Sequence, residues 1–231
     1  MLTFLNLNKN FLIFLFFLIF LLIGIFIFPD YGISIDEDNT RIVGFLSLEY
    51  IYKIFLPEHL TKINEILVGE SDTYSYEKFK LGNSPIATSG IVFDLPMAFL
   101  ELTFQIKDSR HYYLLRHFFN FLFFFSSVFF FFKIVNKRFN SWSFGILGAI
   151  FLILSPRIFA NSFYNNKDMI FMSLFIISLY SAITFLENKN IKSAIIFSII
   201  SSLMINVRIL GLILPILIFL IYLINILRDE N

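Results

Sequence analysis

The chain has 231 residues, of which 58% are hydrophobic and 15% are charged, and its formal net charge is +1. A soluble domain contains about 25% charged residues, so this chain has too little polar surface to cover its apolar residues as one water-soluble domain. The near-neutral charge argues against a nucleic-acid partner. Because the chain has no Cys, disulfides, zinc ribbons and a cysteine nucleophile are excluded. The composition predicts an integral membrane protein.

Apolar runs long enough to cross a hydrocarbon core recur along the chain. The first, 11–28, is longer than the apolar part of a signal peptide, and no small-residue cleavage site follows it, so we interpret it as an uncleaved span. The others are expected at 112–132, 142–159, 169–186, 191–207 and 209–227. The third run is marginal because Pro156 lies near its end, and the fifth is short and rich in Ser. The sequence therefore predicts an all-α polytopic membrane protein with about six transmembrane helices.

The Lys and Arg residues of the short loops predict the orientation. With a cytoplasmic N-terminus, seven lie at cytoplasmic ends: Lys9, Lys133, Lys137, Arg138, Lys189, Lys192 and Arg228. Three lie at the outer ends: Arg157, Lys167 and Arg208. This bias predicts that both termini are cytoplasmic, in the inner membrane of a bacterium, and that residues 29–111 form a long outer, periplasmic loop. Most of the 17 Asp and Glu fall in this loop, and Asp168 lies on the same side.

The outer loop, residues 29–111 of one domain spanning 1–231, is expected to hold interfacial amphipathic helices. Asp38 is the expected cap of a helix over 41–55, whose apolar stripe would lie flat on the membrane surface. A second short helix is predicted from Pro96 to about Ile106, with Asp94 as its cap. The polar stretch 70–90 is predicted to be a loop.

Three successive carboxylates, Asp36, Glu37 and Asp38, follow the first span. Their mutual repulsion and partial desolvation next to a membrane would raise the pKa of at least one of them. That environment suits a general base or a metal ligand. The alternative interpretation is that Asp38 caps a helix and the other two carboxylates are solvated.

Cations and one acid lie in the connection between the third and fourth spans, where Arg157, Lys167 and Asp168 occur close together. Arg as a bidentate fork and Lys as a point charge can hold a phosphate. In the alternative, the two cations extend to lipid headgroups and Asp168 pairs with Lys167.

Further cations lie at outer ends of other spans. Arg208 is either another phosphate ligand or a side chain extended to the headgroups. Arg116 and His117, in the second span, are also explained by anchoring at the interface. No pair of His residues has metal-ligand spacing, so the sequence gives little support for a His metal site.

These motifs resemble the polytopic GT-C glycosyltransferases, specifically the family 39 group. That group includes the dolichyl-phosphate-mannose protein mannosyltransferases and the bacterial aminoarabinose and lipopolysaccharide-core sugar transferases. The residues that carry the resemblance are Asp36-Glu37 at the head of the outer loop, Arg116-His117, Ser155-Pro156-Arg157, Asn166-Lys167-Asp168, and Arg208-Ile209 followed by Gly211.

The resemblance implies an inverting transfer of a sugar from a polyprenyl-phosphate donor to a hydroxyl acceptor on a lipid, a glycan or a protein. Asp36 would be the general base, with Glu37 assisting. Asp168 would orient Lys167 or share a divalent metal ion, the one possible cofactor, with Asp36. The residues expected to bind substrate or stabilise the leaving phosphate are Arg157, Lys167, Arg208, Arg41, Arg116 and His117.

Members of this group usually have more spans than the sequence predicts here. We therefore expect a truncated product, a split-gene product whose remaining spans come from a separate chain, or a minimal module. The alternatives to an enzyme are a non-catalytic membrane subunit and a transporter fragment, and another polyprenol-handling enzyme is a third hypothesis. Transporters place broken helices and polar groups at mid-membrane, whereas the polar groups here lie at the outer ends, which favours the enzyme.

Overall fold

A computed structural model of the chain describes residues 8–61, 63, 66 and 90–229, and this part is helical without strands. The α-helices are α1 (Lys9–Ile27), α2 (Ile35–Phe55), α3 (Asp94–Thr103), α4 (Ser109–Phe139), α5 (Trp142–Ile153), α6 (Pro156–Tyr164), α7 (Asp168–Asn188), α8 (Ile191–Val207) and α9 (Ile213–Asp229). Short 3-10 helices lie at Phe28–Asp30, Pro57–His59 and Ile209–Leu212. The predicted all-α fold is confirmed.

Four helical segments of the described chain are long and apolar enough to cross a membrane: Lys9–Asp30, Ser109–Phe139, Asp168–Asn188 and Ile209–Arg228. They coincide with the first, second, fourth and sixth predicted spans, and they confirm a polytopic membrane protein.

The third and fifth predicted spans differ from a simple crossing. The third consists of α5 and α6, which meet at 70°. Pro156 begins α6, and because a proline disfavours helical geometry in the residue before it, α5 cannot continue through this point. The fifth predicted span, α8, has only 17 residues. The described helices thus give four spans, or up to five if the bent pair is one, where the sequence predicted about six.

The long helix α4 is the centre of the bundle, and α1, α5, α6 and α7 pack around it. Its apolar contacts are largely between Phe rings, which pack edge-to-face or offset and bury much area per residue. Phe121 of α4 lies 5.6 Å from the ring of Phe20 in α1 and is stacked 5.3 Å from Phe163 in α6. Phe163 also stacks on Tyr31 at 4.3 Å. These contacts place α6 against the end of α4 where the loop after α1 begins.

Helix α2 begins at Ile35, six residues before the predicted start. Ser34 is its N-cap, and the backbone N–H of Ser34 donates to Oε2 of Glu37 at 2.7 Å, as in a capping box. The prediction that Asp38 caps the helix is therefore wrong. Asp38 lies within the first turn, and its carboxylate accepts a hydrogen bond from the hydroxyl of Tyr113 at 3.1 Å.

Helix α3 begins at Asp94 rather than Pro96, and Phe93 is its N-cap. Asp94 is thus not the predicted cap, and its side chain is buried toward α4 instead. The apolar face of α2 packs on α3, where Ile42, Phe45 and Ala98 are buried together. Most of the stretch 70–90, predicted to be a loop, lies outside the described residues.

The close approach of α2 to α3 depends on Gly44. A Cβ atom at this position would lie 2.5 Å from the backbone oxygen of Asp94, much closer than van der Waals contact allows. Only a residue without a side chain lets the two helices meet at this distance.

We expect Gly44→Ala to lower the thermal unfolding midpoint of the purified protein in detergent. Alanine gains about 1 kcal/mol of helix propensity over glycine, but separating the helices costs about 1–3 kcal/mol, so the clash outweighs the gain. Gly32→Ala is the control, since nothing lies within 4 Å of a Cβ there. A midpoint for Gly44→Ala equal to that of Gly32→Ala would contradict the close contact.

Candidate active site

Polar side chains from several helices meet at one end of the bundle, beside the start of α2. The Oγ of Thr40 in α2 accepts a hydrogen bond at 2.8 Å from the side-chain amide of Asn166, in the connection between α6 and α7. The hydroxyl of Ser34 lies 3.5 Å from the carbonyl oxygen of Tyr164. These contacts bring the Asp36 segment next to the Lys167 segment, although about 130 residues separate them in sequence.

A small pocket of about 160 Å³ lies between these two segments. It is lined by Ser34, Asp36, Tyr164, Asn165, Asn166 and Lys167. Asp36 is exposed and Lys167 is half-buried. The structure therefore places a carboxylate and an ammonium group from the sequence prediction around one cavity.

Asp168 lies just beyond this pocket, at the first residue of α7. Its backbone N–H donates to Oδ1 of Asn165 at 3.0 Å, and the Asn165 side-chain amide donates to Oδ2 of Asp168 at 3.2 Å. Its carboxylate forms an exposed ion pair with Arg208. The ion-pair partner of Asp168 is thus Arg208 rather than the expected Lys167, whereas the expected orienting of Lys167 by Asp168 stays a prediction. Asn165 connects the Asp168–Arg208 pair to the pocket.

Glu37 and His117 form a buried contact behind Asp36. Nε2 of His117 lies 2.9 Å from Oε1 of Glu37, and each side chain is 1% exposed. Neither Nδ1 nor Nε2 of His117 has a hydrogen-bond partner within the described part of the chain, so its contact with Glu37 is a close approach of the two groups rather than a hydrogen bond. Unlike Asp36, neither residue lines the pocket.

Arg116 and Asp94 form a second buried pair, with Nη1 of Arg116 2.9 Å from Oδ1 of Asp94. The same oxygen accepts a hydrogen bond from Asn166 at 3.2 Å. Burial raises the pKa of Asp94, while the charges of Arg116 and Lys167 act to lower it. Nε and Nη2 of Arg116 have no acceptor among the described residues. Arg116 is therefore held inside the protein rather than anchored at the interface.

Arg41 is held by Glu101 in a third buried pair. Its Nε donates to both carboxylate oxygens of Glu101, at 3.0 and 3.1 Å, and its guanidinium lies 3.8 Å from the ring centroid of Tyr112. The side chains of Arg41 and Glu101 are 4% and 1% exposed. Like Glu37, His117 and Arg116, Arg41 is enclosed by protein and does not line the pocket.

The pairing partners Asp94, Glu101 and Asn166 were not among the candidate residues of the sequence prediction. One indication was available: acids and a polar amide next to apolar segments must find partners when they are buried. The sequence does not show which cation each acid meets.

Two further predictions concern Arg157 and the metal ion. Arg157 is exposed in the first turn of α6 and does not line the pocket.

Within residues 8–61 and 90–229, no group of three or more Asp, Glu or His side chains is arranged to hold a metal ion. The divalent ion that Asp36 and Asp168 are expected to share stays a prediction.

The comparisons with known proteins give one match. The family model of dolichyl-phosphate-mannose-protein mannosyltransferase matches residues 95–229, more than half of the chain. No curated protein and no solved structure gives a significant match. The matched region contains the candidate residues from Arg116 to Arg208, whereas Asp36, Glu37 and Arg41 precede it. The match confirms the resemblance: this chain belongs to the dolichyl-phosphate-mannose-protein mannosyltransferase family of membrane glycosyltransferases.

Proposed function

We propose that this protein is an inverting glycosyltransferase that moves a sugar from a polyprenyl-phosphate donor to a hydroxyl acceptor at the outer membrane face. The observation that supports this most directly is the pocket shared by Asp36 and Lys167. Such a transfer requires a base for the acceptor proton and a positive charge for the departing phosphate. The pocket offers one of each, at the end of a membrane-spanning bundle.

In the proposed reaction, the carboxylate of Asp36 takes the proton of the acceptor hydroxyl as that oxygen attacks the anomeric carbon of the sugar. The new carbon–oxygen bond forms on the face opposite the phosphate. The bond from the anomeric carbon to the phosphate oxygen breaks, and its electron pair leaves with the polyprenyl phosphate. A single displacement of this kind inverts the anomeric centre. General-base assistance contributes about 10²- to 10⁴-fold in rate.

The negative charge that develops on the phosphate is stabilised by Lys167, which lines the pocket. Arg208 is close by through its pair with Asp168, and Asn165 holds that pair beside the pocket. Fixed charges aimed at developing charge are usually the largest contribution to such catalysis. Arg157, on the exposed side of α6, would act at longer range by attracting the anionic donor.

The outer face is the proposed location of the site because the basic ends of the helices lie at the opposite end of the bundle. There, Lys137 pairs with Glu187, and Arg138 and Lys189 are exposed. Lys and Arg residues concentrate on the cytoplasmic side. The lipid-borne donor would then reach the pocket from the outer leaflet of a bacterial inner membrane.

We expect Asp36→Asn to reduce turnover by about 100-fold or more, because an amide cannot accept the hydroxyl proton. The measurement uses purified full-length protein in lipid nanodiscs, dolichyl-phosphate-mannose and other polyprenyl-phosphate sugars as donors, and hydroxyl-bearing peptides, glycans and lipids as acceptors. Asp30→Asn is the control, since Asp30 is an exposed acid after α1 that does not line the pocket.

Equal turnover by Asp36→Asn and wild type would show that Asp36 is not the base. A wild-type protein that transfers no sugar from any donor in the panel would favour the non-catalytic subunit instead.

We expect Lys167→Gln to lower kcat/KM by about 10- to 100-fold, because the departing phosphate loses its nearest fixed charge. Lys167→Arg keeps the charge and should retain more activity than Lys167→Gln. Lys53→Gln, at an exposed position in the last turn of α2, is the control for a general loss of positive charge. If Lys167→Gln and Lys53→Gln behave alike, the phosphate is bound elsewhere.

The proposed orientation predicts the labelling of two single-cysteine variants in intact cells. The wild-type chain has no Cys, so a membrane-impermeant maleimide reacts only where a Cys is introduced. Gly32→Cys, near the pocket end, should be labelled from outside, and Asn188→Cys, at the exposed end of α7, only after the cells are opened. The reverse pattern would place the pocket in the cytoplasm.

A further inference from the structure

The first turn of α2, which carries Asp36, has little apolar packing to hold it. Ile35 is 91% exposed, and Asp36 beside it is also exposed. The first N–H groups of a helix have no partner within the helix, so a first turn without packing tends to fray. A residue that acts from this turn needs another contact to fix its direction.

Glu37 supplies that contact, because its two carboxylate oxygens lie against two different parts of the protein. Oε2 accepts the backbone N–H of Ser34 at 2.7 Å, which closes the start of the helix. Oε1 lies 2.9 Å from Nε2 of His117, on the central helix α4. One side chain therefore closes the first turn and ties it to the best-packed helix of the bundle.

We propose that Glu37 and His117 are positioning residues whose buried contact holds Asp36 toward Lys167 across the pocket. This inference rests on the proposed role of Asp36 as the base. With each side chain 1% exposed, neither Glu37 nor His117 touches the substrate, so the assisting and phosphate-binding roles implied by the resemblance are replaced by a role in placement.

The remaining contacts of α2 act on other parts of the helix. The hydrogen bond from Tyr113 to Asp38 fixes the end of the first turn. The hydrogen bond from Asn166 to Thr40 fixes the second turn. Arg41 meets Glu101 further along. The hydroxyl of Ser34 also meets the carbonyl oxygen of Tyr164 at 3.5 Å. Glu37 differs because its one side chain contacts both Ser34, at the start of the helix, and His117 on the central helix α4.

Glu101 provides a matched control for Glu37. Both are buried glutamates in contact with a basic side chain, and in each contact one of the two residues lies on α2. The exposed fraction is 1% for Glu37 and 2% for Glu101. Replacing either one removes a buried carboxylate and lowers stability by a similar mechanism. Only the loss of Glu37 should release the first turn of α2.

The positioning can be measured without any substrate. Nitroxide labels on Asp36→Cys and Lys167→Cys in the full-length protein report their separation through dipolar broadening of the electron paramagnetic resonance spectrum, and no native Cys competes for label. We expect Glu37→Ala to remove most of this broadening and Glu101→Ala to preserve it. Glu37→Gln should preserve much of it, because Gln has the same length and also serves in a capping box.

The inference is overturned if the doubly labelled protein shows the same broadening with Glu37→Ala as it does with Glu37 intact. Loss of broadening in both Glu37→Ala and Glu101→Ala would also overturn it, because the effect would then follow from general loosening of the helix packing.

Kinetics distinguish this inference from the proposed function. In nanodiscs with the donor and acceptor that support wild-type turnover, Glu37→Ala should lower kcat by about 100-fold, as expected for a misplaced catalytic group, with the KM for donor near that of wild type. Glu101→Ala should keep its kcat. The double variant Glu37→Ala/His117→Ala should lose no more than either single variant, because the two residues form one contact.

If Asp36→Asn retains full turnover, the proposed role of Asp36 as the base fails whatever the spectra show. If Asp36→Asn is inactive while Glu37→Ala keeps the wild-type kcat, the positioning inference fails and the proposed function stands.

Discussion

The constraint on which this end of the molecule depends is the cost of burying charge in a chain where only 15% of residues are charged. A buried ion left without its partner costs several kcal/mol, so each buried group determines which helix must lie opposite it. In the described part of the chain, three buried contacts between an acid and a basic side chain lie together at the pocket end: Glu37 with His117, Arg41 with Glu101, and Asp94 with Arg116. They join α2 to α4, α2 to α3, and α3 to α4. Every two of these three helices are thus linked by one buried pair.

This arrangement separates the residues that hold the site from those that face the pocket. Neighbouring residues at the start of α2 point in different directions, so Glu37 is buried while Asp36 is exposed. In the connection before α7 the separation is partial, since Asn166 is buried against Thr40 and Asp94 but also lines the pocket beside Lys167. On each side of the cavity, an accessible charged residue is adjacent to one that is fixed inside the protein.

Much of the fold could be predicted from the sequence, because the membrane imposes length and polarity on each apolar run. The four long spans follow from this rule, and Pro156 indicated where the third run breaks. The sequence also indicates the start of α2, since Ser34 and Glu37 have the spacing of a capping box, although Asp38 offers a competing cap for a later start. The pairing of Asp94 with Arg116 could not be predicted, because it depends on how α3 packs on α4 and not on local sequence. Burial also depends on helix packing, so the sequence identified Asp36 and Glu37 as neighbouring candidates but did not show which of them is buried.

The three buried pairs also bear on how the family match relates to the proposed site. The match begins at residue 95, and in every pair one member precedes this point while the other lies within the matched region. Glu37, Arg41 and Asp94 are thus held by His117, Glu101 and Arg116, respectively. Asp36, the proposed base, precedes residue 95, and Lys167, which is proposed to stabilise the leaving phosphate, follows it. The buried pairs fix α2 and α3 on α4, and the hydrogen bond from Asn166 to Thr40 then joins the Lys167 segment to α2. A family member with a different segment before residue 95 would need other partners for His117, Glu101 and Arg116 to keep such a site.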